Sequence, residues 1–72
     1  KRDDYIVALE AYDEALKQNS SMAQALLGKG RILFAQGNKQ AVDYLNQYLQ
    51  LEPTAENKNS VEYLLKKANE LP

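Results

Sequence analysis

Apolar residues recur along this chain at helical spacing. Tyr5, Ala8, Leu9, Tyr12, Ala15 and Leu16 fall at i, i+3, i+4, i+7, i+10 and i+11, which gathers them on one face of an α-helix. Glu10, Asp13, Glu14 and Lys17 fall on the other side. Asp3 and Asp4 suit the N-cap and first turn, where carboxylates accept orphan N–H bonds and meet the positive helix end. The spacing predicts a helix over about 4–18. Asn19-Ser20-Ser21 is a polar break, and Ser21-Met22-Ala23-Gln24 has the S-x-x-Q spacing of a capping box. The second helix, about 22–36, carries Leu26, Leu27, Gly30, Leu33 and Phe34 and stops at Gly37, the residue type that takes the left-handed C′ conformation most cheaply. Asn38 is placed to cap a third helix, about 39–51, with Ala41, Val42, Leu45, Tyr48 and Leu49 on its apolar face before Pro53 ends it. Val61, Leu64, Leu65, Ala68 and Leu71 then return at helical spacing and predict a fourth helix, about 57–70.

A connection of a few residues between helices two and three forces them to run antiparallel, so the middle of the chain is a helical hairpin. Gly28 and Gly30 lie inside the second helix, where each costs up to about 1 kcal/mol against Ala. Their expected use is close approach of a neighbouring helix. The fold expected is all-α, an antiparallel helix-turn-helix array of about four helices, in a single domain over 1–72.

An internal repeat supports the array. Ala8-Leu9-Glu10-Ala11-Tyr12-Asp13-Glu14-Ala15-Leu16 and Ala41-Val42-Asp43-Tyr44-Leu45-Asn46-Gln47-Tyr48-Leu49 share one pattern, Ala8 corresponding to Ala41. Their separation is that of one helix-turn-helix unit. With that unit in view, the chain resembles the tetratricopeptide repeat family, whose unit of about 34 residues, helices A and B, stacks into a superhelix. Ala23 to Gly37 is similar to helix A, with Leu26, Gly30, Leu33 and Gly37 at the large, small, large and turn positions. Ala41 and Leu45 match the signature of helix B, and Leu51-Glu52-Pro53 its closing L-x-P. Three departures mark a degenerate repeat: Lys29 stands where the family has Leu, Tyr48 where it has a small Ala, and the A-to-B turn is one residue short. The first helix looks like a B without its A, and Ser20 replaces the usual Pro. The fourth fits a further A helix after a lengthened loop. The resemblance therefore implies a B-A-B-A array over about 3–70.

Composition narrows the function. Leu, Ile, Val and Phe make up 17 of the 72 residues, above the roughly 20% below which disorder is the better expectation. Nine basic and ten acidic side chains leave a net charge of −1, with no single-sign field to gather nucleic acid or anionic lipid. The longest apolar runs, Ile6 to Leu9 and Ile32 to Ala35, are four residues long, against the roughly 20 that a membrane span needs. The start Lys-Arg-Asp-Asp leads straight into helical patterning, unlike a secretory leader. A first residue of Lys fits a piece of something longer, and localisation is unreadable. His and Cys are absent, which removes the usual general bases and nucleophiles, so no enzyme, cofactor or metal site is expected. Glu10 and Glu14, one turn apart, make a poor metal site without a third ligand or imidazole. Asn19-Ser20-Ser21 fits a glycosylation sequon but reads better as a turn and cap. Tyr5, Tyr12 and Tyr48 lie on apolar faces as core residues, while Tyr44 and Tyr63 are candidates for exposure.

The resemblance implies a partner surface. In tetratricopeptide arrays the A helices line a concave groove for a peptide or helix, and its positions here are Gln24, Leu27, Arg31, Phe34 and Ala35, joined on the fourth helix by Asn59, Glu62 and Lys66. Leu27 and Phe34 are expected to supply apolar area, and Arg31 and Gln24 to orient the ligand. Gly28 stands where peptide-clamping members carry an Asn, which disfavours a chaperone-type carboxylate clamp. The function expected is a non-catalytic protein-interaction module. The alternative is a self-associating scaffold element, a homodimer for instance, in which uncovered end helices pair between chains.

Overall fold

The computed structural model describes residues 2–72, with side chains from Asp3 onward. Four helices follow one another: α1 (Arg2–Gln18), α2 (Ala23–Ala35), α3 (Ala41–Leu51) and α4 (Lys58–Asn69). No strand occurs among the described residues. The chain is an all-α helical array.

The turns follow from local chemistry, with three differences from expectation. Asp3 and Asp4 both sit inside the first turn of α1, where they complement the macrodipole rather than cap the helix. Ser21 does not form a capping box: α2 starts after Met22, which makes no side-chain cap. Ser21 thus lies one residue before the cap position. Asn19 organises this turn instead, its Oδ1 accepting the Ser21 N–H at 3.0 Å. At the end of α2, Gly37 has φ +73°, Gly37 N–H donates to the Phe34 carbonyl at 2.9 Å and Asn38 N–H to the Leu33 carbonyl at 2.8 Å. This is a Schellman motif, and it requires glycine at its left-handed residue. Asn38 does not cap α3, which starts at Ala41 with Gln40 at the cap position and no side-chain cap; its Oδ1 accepts the Gln40 N–H at 2.9 Å, and a tight turn of i to i+3 bonds leads into the helix.

Neighbouring helices run antiparallel. Tyr12 meets Gly28 and Asp13 meets Lys29, while Tyr5 and Ile6, earlier on α1, share a cleft with Ala35 and Gln36 at the far end of α2. Both interior glycines are sites of close approach. A Cβ on Gly28 would collide with the Tyr12 ring, 2.6 Å from its hydroxyl oxygen, and one on Gly30 would fall 2.8 Å from Leu45 Cδ2. Positions 28 and 30 are about 200° apart around the helix, so α1 and α3 flank α2 on different sides.

The packing is densest between α2 and α3, α1 rests on α2 alone, and α4 rests on α3 and touches α2. Leu26, Leu45 and Val61 are the largest fully buried side chains. Leu27, Leu33, Ala41, Tyr48 and Ala68 complete the core cluster. The molecule is a slab of 29 × 29 × 17 Å. Its accessible surface of 4955 Å² exceeds the roughly 4,500 Å² usual for this mass.

Candidate interaction surface

Tyr48 fixes where α4 sits. Its ring is buried, and its hydroxyl donates to Asn57 Oδ1 at 2.9 Å, just before α4 begins. A smaller side chain here would leave both a void and an unanchored loop. The large residue at a position where the resembled family has a small one therefore carries the connection from α3 to α4.

Lys29, a second of the three departures, is a junction between three helices. Its ammonium pairs with the Asp13 carboxylate on α1 and lies 4.5 Å from the centre of the Tyr44 ring on α3. Burial pulls the Lys29 pKa down, but the bonds to Asp13 and to the Tyr44 hydroxyl outweigh it, and the net shift is upward. A Leu at this position would bury more apolar area but lose both polar contacts. The charge pattern alone does not reveal this junction, because both partners lie far from Lys29 along the chain, on the helices before and after its own.

On the opposite side of α2 from Lys29 lies Arg31, about 200° away. Arg31, Gln24 and Ala35 are exposed and share one face. The structure corrects the apolar members of this set. Leu27 is only 9% accessible and belongs to the core, and Phe34 is half-buried and packed against that core. Both lie on the edge of α2 that turns inward, so Leu27 is withdrawn from the contact surface and Phe34 offers only part of its ring. Asn59, Glu62 and Lys66 are exposed at i, i+3 and i+7 on α4, the helix that touches α2. The face has both charge signs, and no charged side chain is buried among the described residues.

The surface depressions lie elsewhere. One cleft of about 460 Å³ opens between the start of α1 and the end of α2, lined by Tyr5, Ile6, Ala35 and Gln36. Another of about 480 Å³ lies along α4, lined by Asn59, Ser60, Tyr63 and Leu64. Ala35 and Asn59 border these clefts, whereas Arg31 borders neither. Tyr5 and Tyr12 are half-buried, as their apolar faces predict, Tyr44 is half-buried under Lys29, and Tyr63 is exposed.

Among the described residues, no group of three His, Cys, Asp or Glu side chains converges to hold a metal ion. No helix of the described residues is long and apolar enough to cross a membrane. Comparison with family models, with curated proteins and with solved structures gives no match.

Proposed function

We propose that the chain is a non-catalytic protein-interaction module of tetratricopeptide-like design, which takes a partner's peptide or helix on the face shared by α2 and α4. The contact between α2 and α4 carries this reading. Exposure of Gln24 and Arg31 on α2 and of Asn59, Glu62 and Lys66 on α4 supports the reading, since together they would give a polar surface of both signs. Arg31 is the central anchor, since a guanidinium offers five donors in a fixed fork and adds stacking on aromatic faces. The accessible part of Phe34 supplies the apolar complement. Binding on such a face depends on hydrogen bonds and charge more than on buried area, which favours an affinity that falls with salt.

The test is affinity capture with the wild-type chain and a Gln24→Ala/Arg31→Glu variant of equal helicity by circular dichroism. Both positions are exposed, so the fold is expected to survive. A partner held by the first and lost by the second supports the reading. Retention by both would move recognition to another face.

A further inference from the structure

We infer that copies of this chain associate head to tail, with α1 of one copy covering α4 of the next. Three observations combine. First, both end helices expose large apolar side chains: Ile6 and Val7 on α1 are 51% and 66% accessible, and Tyr63 on α4 is 60% accessible. Beneath Tyr63, the open cleft along α4 reaches half-buried Leu64.

Second, the two end helices are opposite in charge. α1 holds five carboxylates against two cations, and α4 holds three lysines against one glutamate. Glu70, at the C-cap of α4, pairs with Lys67 at 3.7 Å, while Lys58 and Lys66 form no ion pair among the described residues. The signs flank the apolar residues. Asp3, Val7, Glu10 and Glu14 fall on one exposed stripe of α1, while Lys66 and Lys67 lie one turn beyond Tyr63 on α4. The Lys67 ammonium is 5.5 Å from the Tyr63 ring centre. Pairing α1 with another α1 would set carboxylates against carboxylates, and pairing α4 with another α4 would oppose lysines. Only the unlike pairing is complementary.

Third, α1 repeats the sequence pattern of α3, Ala8 to Leu16 corresponding to Ala41 to Leu49. In this fold α3 packs between α2 and α4 and buries Ala41, Leu45 and Tyr48. Its counterpart α1 packs on α2 alone, and every residue of its apolar stripe remains partly exposed. α1 therefore lacks the second helical neighbour that its counterpart α3 has, and a second copy's α4 would supply one. The interface is heterologous, so each copy keeps one free end of each type and growth continues until a ring closes or the chain of copies ends.

The experiment is sedimentation analysis across a concentration series with two surface variants. Ile6→Glu/Val7→Glu blocks the α1 end, and Ser60→Glu/Tyr63→Glu blocks the α4 end; all four positions are exposed. Circular dichroism first checks that each variant is as helical as the wild type. The wild type is expected to rise in mass with concentration and to fall back as salt is added. Each variant alone is expected at monomer mass, and their equimolar mixture at twice that mass, because one intact α1 end and one intact α4 end remain. A wild type that stays monomeric at its solubility limit overturns the proposal. So does a variant that still associates alone, which is the signature of like-end pairing, or a mixture that stays monomeric while the wild type associates.

Discussion

The Tyr12 ring lies where a Cβ on Gly28 would stand, its Cε2 and its hydroxyl oxygen each 2.6 Å from that position. The glycine thus gives α1 its seat on α2, and the two residues are energetically coupled. In the wild-type background Gly28→Ala forces the ring aside, which offsets the helix-propensity gain of about 1 kcal/mol. In a Tyr12→Ala background the obstruction is gone, and the same substitution is expected to stabilise by about that amount. A double-mutant cycle by urea denaturation measures the difference.

Gly30 behaves differently because its neighbour cannot move. A Cβ there meets Leu45 Cδ2 at 2.8 Å and the Leu45 backbone nitrogen at 3.4 Å, and Leu45 is fully buried. Relief requires α2 and α3 to separate. Gly30→Ala is expected to destabilise by about 1–3 kcal/mol, the usual cost of overpacking a core, and a lowered urea midpoint is the readout. An unchanged or raised midpoint would refute the close packing of α2 on α3.

Tyr48→Phe keeps the buried ring and removes the bond to Asn57. The expected loss is about 1 kcal/mol, with the part-buried amide oxygen left unpaired. Amide exchange should quicken at the start of α4, around 57–61, more than in α1. Equal protection in both variants would show that Asn57 does not anchor the connection.

The Lys29 junction predicts an alkaline limit. Its folded pKa lies above the ordinary 10.5, so the folded state holds the proton more tightly than the unfolded chain does. The stabilisation is complete below about 10.5, the unfolded value, and is lost as pH rises through the higher folded value. Because Asp13 is 54% accessible, the contribution is small, under about 1 kcal/mol. Lys29→Met should remove this part of the pH dependence above that range while leaving stability near neutrality within about 1 kcal/mol. A variant with the same alkaline slope as the wild type would exclude the junction as its source.

Much of the fold is legible in the sequence because each boundary has its own local cause. Gly37 in the left-handed region and Pro53 after α3 mark the ends of α2 and α3 independently of tertiary packing, whereas Asn38 shapes the turn before α3 without capping it. Gly28 and Gly30 announce close approach, though not that Tyr12 and Leu45 fill the two sites. The candidate surface is less legible. Helical spacing places Leu27 and Phe34 on the same side as Arg31, but whether a side chain at the edge of that face turns inward depends on where α4 lands. That position is set by Tyr48 and Asn57 across a lengthened loop, a relation that no periodicity encodes. In the sequence Lys29 is only a departure from pattern, and its role becomes visible once Asp13 and Tyr44 meet it.

The interaction face is tested most directly by amide chemical-shift mapping of the chain as the captured partner segment is added. The account predicts shifts centred on Gln24, Arg31 and Ala35 of α2 and on Asn59, Glu62 and Lys66 of α4, lost with Arg31→Glu. Shifts confined to α1, or to the Tyr63 side of α4 with Arg31 unmoved, would contradict it.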